Sequence, residues 1–241
     1  RTPLTVINGM ANALEQSSDT EVLYQSGMIK KNSQKLLSLV NQLLKLSSLT
    51  AKKEEVNLQQ ADIILFIKYL IASFDSLASV KQISLQYYTK DKELLMEFDA
   101  EKLETILSNL LSNAIKFTNE NGIILVKAEQ VKLEGNLYLE MTIKDNGIGI
   151  STQDLPLIFD RFHQASNINN GQGTGIGLAI VKELVTLMKG AIKVESTLGE
   201  GSQFVIHLPV VQNAPFPLPS ADTQAPLDEK VASEISNGSL P

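Results

Sequence analysis

The sequence contains no cysteine and no tryptophan, and only two histidines among its 241 residues. The absence of cysteine excludes disulfides and zinc–thiolate sites, and it fits a protein that folds in a reducing compartment. The two histidines, His163 and His207, have no clustered partners in the sequence, so we expect neither a transition-metal site nor a Ser-His-Asp arrangement. We interpret both histidines as structural or incidental.

The sequence also lacks basic character and long apolar runs. Its net charge of −6 gives no reason to expect a direct nucleic-acid partner. The most apolar run, residues 63–74, is too short to span a bilayer and is interrupted by Lys68. Because the chain starts at Arg1, in the middle of a pattern, we expect it to be an excised piece whose membrane segments lie elsewhere.

Apolar residues repeat with helical spacing over the first fifth of the chain. They predict one helix over residues 1–16 and a longer helix over residues 20–50. The short polar break between them favours an antiparallel hairpin. The second helix has a wider apolar face than two helices can bury. A homodimeric four-helix bundle would bury it, and packing on the next domain is the alternative.

After a charged linker at residues 51–55, strand and helix patterns alternate. Helices are predicted over residues 61–80, 100–117 (capped by Asp99) and 178–189, and strands over 56–60, 83–89, 94–98, 123–131, 137–144, 191–196 and 202–208. This order predicts an α+β protein in which a helical hairpin precedes a two-layer α/β sandwich with a mixed, mainly antiparallel sheet. The proline-rich residues 212–241 predict a flexible linker.

One stretch, residues 145–178, holds six of the chain's 14 glycines. Glycines before a helix favour a phosphate site, because the first helical amides are unpaired and glycine lets a ligand approach the backbone. The spacing matches neither GxxxxGK[ST] nor GxGxxG. A glycine-rich mobile loop is the alternative, and the polar residues 165–172 then fit a lid.

Three polar residues form a narrow stripe beside the apolar arc of the helix predicted at 100–117. Asn109 and Asn113 offer neutral oxygen ligands for Mg²⁺, and Lys116 can balance phosphate charge. An ordinary polar helix face is the alternative interpretation.

The pair Asp145-Asn146 before Gly147 has two interpretations. These residues are favoured in hairpin turns. A carboxylate at a strand end can instead accept a hydrogen bond from an exocyclic amine such as that of adenine. We interpret Phe159 and Phe162, farther along, as core anchors.

Together these segments resemble the motifs of the histidine kinases of two-component systems. RTPL at the start resembles the tail of the H box, NLLSNAIKFT the N box, DNGIG the G1 box, IFDRF the F box, GTGIGLAI the G2 box and LGEGSQF the last glycine turn. The motifs follow the family order over residues 1–211. The N box, the FDRF segment and the proline-rich end further resemble hybrid sensor kinases, in which such a linker leads to a receiver domain.

The resemblance implies a dimerisation hairpin at residues 1–51, a Bergerat-type (GHKL) ATP-binding domain at 56–211 and a linker at 212–241 towards a receiver domain. Such a kinase binds Mg-ATP, transfers the γ-phosphoryl to a histidine and relays it to a response-regulator aspartate. The resemblance also implies a homodimer through the hairpin, on the cytoplasmic side of a membrane-anchored parent protein.

The resemblance also implies roles for individual residues. Asp145 would bind the adenine amine, Asn109 and Asn113 would hold Mg²⁺ and phosphate, and Lys116 would approach the phosphates. The glycines of the G1 box, Gly147 and Gly149, would line the nucleotide. The G2 segment would bring the lid amides to the phosphates through Gly173, Thr174, Gly175, Gly177 and Leu178. Thr2 matches the position that orients water for dephosphorylation.

The family's phosphoacceptor histidine is expected just before Arg1 and is not in this sequence. Its role does not transfer to either histidine present, so the resemblance implies a chain that binds ATP without autophosphorylating. Two alternatives are another Bergerat-fold ATPase, such as the topoisomerase and mismatch-repair enzymes, and a nucleotide-binding or dimerisation module without kinase activity. The hairpin that begins with RTPL argues against the first, and the intact motifs argue against the second.

Overall fold

The chain begins with two helices, α1 at Thr2–Leu14 and α2 at Thr20–Thr50. A computed structural model describes residues 2–14, 16, 19–51, 54–165 and 174–211, all within one compact unit, Arg1–Val211. Ser26 Oγ donates to the carbonyl of Ala11 at 2.8 Å, and Ser33 Oγ donates to that of Leu4 at 3.3 Å. Later residues of α2 thus meet earlier residues of α1, which confirms the antiparallel hairpin.

The apolar face of the hairpin is only partly buried within this chain. Leu46 and Leu49, near the end of α2, belong to the hydrophobic core that continues into the rest of the fold. Large apolar side chains elsewhere on the two helices are exposed, among them Val6, Ile7, Met10, Leu14, Tyr24, Met28, Leu36, Leu43 and Leu44. Packing on the rest of the fold therefore buries the end of α2, and the contact between the two helices buries Leu4 and Ala11, whereas the other apolar side chains named here stay exposed.

Strands and helices then alternate as far as residue 209. The elements are β1 Gln59–Asp62, α3 Ile63–Ala72, α4 Asp75–Val80, β2 Ser84–Tyr88, β3 Leu95–Phe98, α5 Ala100–Phe117, β4 Ile123–Leu133, β5 Asn136–Asp145, a 3₁₀ turn at Leu155–Leu157, α6 Gly177–Leu187, β6 Ala191–Thr197 and β7 Gly201–Pro209. Five strands form one sheet in the order β2-β4-β5-β7-β6, parallel only between β2 and β4. The predicted mixed, mainly antiparallel sheet is confirmed.

The core lies between this sheet and the helices on one of its faces. Alternate residues of β5 are buried, namely Leu139, Met141 and Ile143, because successive side chains of a strand point to opposite faces. Helix α5 begins at Asp99, whose carboxylate accepts a hydrogen bond from the Lys102 amide at 3.0 Å. Its apolar stripe, which runs from Leu103 to Leu111, packs on the sheet. The predicted two-layer sandwich is therefore confirmed.

Two predicted elements differ from those in the structure. The first strand lies at Gln59–Asp62 rather than 56–60, because it pairs with β3 in a separate two-stranded sheet. The helix predicted over 61–80 begins only after Asp62, which caps the Ile64 amide at 3.0 Å. It also breaks at residues 73–74 into α3 and α4.

The segment Ile63–Val80 has the length and the mean hydropathy, 1.8, of a membrane span. In the structure these residues form α3, a two-residue break and α4. The buried residues of α3 are Ile63, Ile64, Ile67 and Ile71, which all belong to the core. Packing within the fold therefore accounts for only part of the hydropathy, since Leu65, Tyr69, Leu77 and Val80 of the same segment are exposed.

The turn between β6 and β7 contains two glycines with positive φ, +86° at Gly199 and +107° at Gly201. A Cβ at Gly199 would meet no atom within 4 Å, whereas a Cβ at Gly201 would lie 2.0 Å from the carbonyl oxygen of Asp145. Position 201 thus requires glycine for two reasons, namely the positive φ and the close approach of β7 to the end of β5.

We expect Gly201→Ala to destabilise the protein more than Gly199→Ala. Both substitutions place a Cβ in the left-handed region, at about 1 kcal/mol. Only Gly201→Ala also forces two backbones apart, which adds about 2 kcal/mol. Urea unfolding of the two variants measures the difference, and equal losses of stability would contradict the close approach of Gly201 to Asp145.

Candidate nucleotide site

A cavity of about 270 Å³ opens between α5, the start of α6 and the end of β5. Its volume is slightly below the range typical of small-molecule sites, about 300 Å³ upward. Most of the residues predicted from the motifs line it, namely Asn109, Asn113, Lys116, Asp145, Gly149, Thr174, Gly175, Gly177 and Leu178. Gly147 does not line it. Gly173 and the side chain of Thr2 lie outside the described residues.

Asp145 is the last residue of β5 and closes one end of the cavity. It lies between Ile124 of β4 and Ser202 of β7, and only 6% of its surface is exposed. Its Oδ1 accepts a hydrogen bond from the Gly147 amide at 2.9 Å. The chain does not return as a strand after this point, so the hairpin-turn interpretation is wrong.

Burial determines the acidity of this carboxyl group. The loss of solvent raises the pKa of Asp145 above its usual value, and the amides of Gly147 and Ser202 offset part of that rise. The ionised form therefore carries a desolvation cost in the free protein. A ligand that donates a hydrogen bond to this carboxylate would lower that cost.

The glycines of the G1 box bring the chain close to its neighbours. A Cβ at Gly147 would lie 2.3 Å from the carbonyl oxygen of Phe117, and a Cβ at Gly149 would lie 2.0 Å from that of Thr197. Between them, the Ile148 amide donates to the Phe117 carbonyl at 3.1 Å. Gly147 therefore lets the segment pack on the end of α5, while Gly149 both packs and lines the cavity.

Asn109 marks the opposite end of the cavity. Its Nδ2 donates to the Thr105 carbonyl at 2.7 Å, and its Oδ1 faces Gly177, where a Cβ would be only 2.6 Å away. Asn109 lies eight residues before Phe117 on α5, which corresponds to about 12 Å along a helix. The cavity thus extends along α5 from the Asn109 amide to the Asp145 carboxylate.

Helix α6 starts at the Asn109 end without a side-chain cap. Its first residues, Gly177 and Leu178, line the cavity, so the unpaired amides of the first turn lie beside the cavity. Lys116 also lines the cavity, and its Nζ lies 4.4 Å from the centre of the Phe117 ring. The Asn109 end therefore combines an amide oxygen with a helix N-terminus, whereas Lys116 projects from the last turn of α5, nearer Asp145.

Residues 166–173, which include most of the predicted lid, lie outside the described residues. The segments on the two sides of these residues are in direct contact. The Phe162 amide donates to the Gly175 carbonyl at 2.8 Å. Gly175 has φ +67°, and a Cβ there would lie 2.6 Å from the Phe162 backbone. Thr174 Oγ1 accepts a hydrogen bond from the Ile176 amide at 3.3 Å.

One of the two aromatic residues near the site differs from expectation, and the two histidines lie in different places. Phe159 packs against the core, but the interpretation of Phe162 as a core anchor is wrong because 60% of its surface is exposed. His163 lines the cavity, with its Nε2 3.3 Å from Asp154 Oδ1 in a geometry that is not a hydrogen bond. His207 lies away from the cavity, and its Nε2 is 2.8 Å from Glu140 Oε2.

Two further residues contribute to the site and were not predicted from the sequence. Lys81, which follows α4, donates from Nζ to the carbonyls of Ile115, Lys116 and Thr118 at 2.9, 2.8 and 3.2 Å. It therefore holds the end of α5 that carries the cavity wall, where a cation also complements the helix dipole. Gln42 of α2 lines the cavity and contacts Thr174. Neither residue lies in a motif or a periodic pattern.

Two family models match the chain. The "His Kinase A (phospho-acceptor) domain" matches residues 1–52, and the "Histidine kinase-, DNA gyrase B-, and HSP90-like ATPase" matches residues 98–212. The ATPase model covers several kinds of protein. The phospho-acceptor model, which matches the hairpin, distinguishes the histidine kinases from the others. The chain belongs to the histidine kinases.

Curated relatives include other histidine kinases. The sensor protein GacS of Pseudomonas syringae pv. syringae is 36% identical over 214 residues, which are 86% of this chain and 23% of that protein. The hybrid signal transduction histidine kinase D of Dictyostelium discoideum is 32% identical over 218 residues, which are 88% of this chain and 14% of that protein. This histidine kinase chain therefore spans less than a quarter of these relatives.

Solved structures of histidine kinases have the same fold. Full-length ShkA, crystallised with AMPPNP, is 30% identical with a TM-score of 0.76 over 89% of this chain and 44% of that one. The kinase ThkA in complex with the response regulator TrrA has a TM-score of 0.64 over 87% of this chain and 58% of that one. Its identity of 21% supports the fold alone. All the residues that line the cavity except Gln42 fall within the part of the chain that the ATPase model matches.

We expect Asp145→Asn to stabilise the nucleotide-free kinase core at neutral pH. The raised pKa of Asp145 means that the ionised carboxylate opposes folding once the pH exceeds the unfolded-state value, near 3.8. The amide variant keeps an acceptor for the Gly147 amide and carries no charge. Its advantage in thermal unfolding temperature should be largest at pH 7 and shrink as the pH falls towards 3.8. A pH-independent difference would refute a desolvated carboxylate.

Proposed function

We propose that the cavity binds Mg-ATP and that the kinase transfers the γ-phosphoryl to a histidine, for relay to an aspartate of a response regulator. One observation carries this proposal. A single cavity joins a buried carboxylate at one end to two asparagine amides and a helix N-terminus at the other. Such a site suits a ligand with an amine donor at one end and phosphates at the other. Phosphoryl transfer depends mainly on positioning and charge neutralisation, which this arrangement can supply.

At the carboxylate end, Asp145 accepts a hydrogen bond from the exocyclic amine of adenine. Because the carboxylate is desolvated, this charge-assisted hydrogen bond is stronger than one made in water. Gly149 borders the base, and Gly147 supports the segment from behind by packing on Phe117. Guanine would present a carbonyl oxygen to the carboxylate, so the site selects adenine.

At the other end, Asn109 and Asn113 supply amide oxygens for Mg²⁺. Among the described residues there is no cluster of three or more His, Asp or Glu side chains. Two amides still fit this ion, because Mg²⁺ keeps several waters and is held largely by substrate phosphates. When bound, Mg²⁺ neutralises developing phosphate charge. Lys116 and the α6 amides, including those of Gly177 and Leu178, bind the phosphates, with Gly173, Thr174 and Gly175 leading into the helix.

The domain organisation and partners belong to the same proposal. Residues 1–51 form a dimerisation hairpin, residues 56–211 the ATP-binding domain and residues 212–241 a linker towards a receiver domain. The exposed apolar residues of α1 and α2 support a homodimeric four-helix bundle. The hybrid relative from Dictyostelium supports a receiver domain in the same polypeptide. Thr2 orients water for dephosphorylation, on the cytoplasmic side of a membrane-anchored protein.

Asp145→Asn should weaken binding of AMPPNP in the presence of Mg²⁺ at least tenfold, because a hydrogen bond to a charged group contributes about 1.5–3 kcal/mol. Isothermal titration calorimetry measures the affinity. Asp160→Asn is the matched control, since Asp160 is exposed and does not line the cavity. Wild-type affinity in the Asp145 variant would refute the adenine contact.

The present chain should bind ATP but acquire no acid-labile label from γ-labelled ATP. Its two histidines lie in the ATP-binding domain, and neither is in the hairpin. A longer chain that includes the histidine expected before Arg1 should become labelled, and Asp145→Asn should reduce that labelling. Acid-labile label on the present chain would overturn the assignment of the phosphoacceptor to an upstream histidine.

A further inference from the structure

We infer that Gln42 of the hairpin forms part of the nucleotide site, where its carboxamide NH₂ binds the phosphate end of the ligand. Nucleotide binding and docking of the hairpin on the ATP-binding domain then stabilise each other. This inference rests on the proposed function, because it concerns the phosphates of the same ligand.

Gln42 reaches the cavity from a distant part of the sequence. Its Oε1 lies 2.8 Å from Thr174 Oγ1, across 132 residues, and its side chain lines the cavity together with Asn109 and Gly177. Among the described residues of the hairpin, Gln42 is the one that lines the cavity wall. The contact is therefore at the phosphate end, beside the start of α6.

Thr174 contacts the oxygen atom of the Gln42 carboxamide. Thr174 Oγ1 accepts from the Ile176 amide, and its single hydroxyl proton is donated to Gln42 Oε1. The oxygen of the carboxamide is thus engaged, and the NH₂ group is the part left to interact with a ligand in the cavity. An amide donor beside a phosphate binding site favours an anion.

The docking contact extends beyond Gln42. One turn later on α2, Lys45 Nζ lies 3.0 Å from Thr105 Oγ1 and 3.9 Å from Glu101 Oε1. Leu46 and Leu49 are buried in the common core. These contacts hold α2 beside the site, so the docked arrangement offers the nucleotide one more donor than an undocked domain. By reciprocity, bound nucleotide must then favour docking.

Gln42→Glu tests the role of the NH₂ group. The carboxylate keeps an acceptor for Thr174 but replaces the donor with a negative charge beside the phosphates. AMPPNP affinity should fall about tenfold, consistent with the worth of a hydrogen bond to a charged group, while adenosine affinity should stay within about twofold. Asn41→Asp is the matched control, since Asn41 is exposed on the same helix and should leave both affinities unchanged.

Hydrogen exchange provides a second readout, which reports on docking of α2 rather than on affinity. AMPPNP should slow exchange of the α2 amides near Gln42 in the wild type, and this protection should be lost in Gln42→Glu. Lys45→Ala should weaken docking and reduce the same protection, with adenosine affinity preserved.

Three results would overturn the inference: wild-type AMPPNP affinity in Gln42→Glu, an equal loss of AMPPNP and adenosine affinity, or nucleotide protection of α2 that persists in that variant. If Asp145→Asn weakens AMPPNP binding while Gln42→Glu does not, only this inference fails. If Asp145→Asn also binds AMPPNP normally, the proposed function fails with it.

Discussion

Helix α5 fixes the geometry of the whole site, because it packs on the sheet with one face and borders the cavity with another. Lys81 binds carbonyls at the end of α5, and the Phe117 carbonyl of α5 accepts a hydrogen bond from Ile148 within the G1 box. A Cβ at residue 177 would displace the Asn109 oxygen of α5. Its Thr105 meets Lys45 of the hairpin. A shift of α5 would therefore move both ends of the site and the hairpin contact at once.

Burial of the Asp145 carboxylate favours binding of a donor ligand but lowers the stability of the free protein. A carboxylate buried between β4 and β7 costs free energy in the absence of a donor, since desolvation outweighs its hydrogen bonds to amides. The fold tolerates this cost because the backbone around Asp145 is held by the close approaches of Gly147 and Gly201. A rigid surround of this kind keeps the acceptor in position before a ligand arrives.

The sequence predicted those features that depend on local pattern. The 3.6-residue period and the Asp99 cap predicted the bounds of α5, and the motifs predicted Asn109 and Asp145, which the structure brings to one cavity. The roles of Gln42 and Lys81 were not predictable, because a polar contact between residues far apart in sequence leaves no periodic pattern in that sequence. The exposure of Phe162 was also not predicted, since composition suggests a core aromatic, whereas Phe162 has positive φ and is largely exposed.

The hydrogen bond between the Phe162 amide and the Gly175 carbonyl has a further consequence. It joins the segment after the Leu155–Leu157 turn directly to the residues that lead into α6. The positions of Phe162 and Gly175 are therefore set by each other. A displacement of the segment at Phe162 would thus be passed to the start of α6 and to the Asn109 end of the cavity.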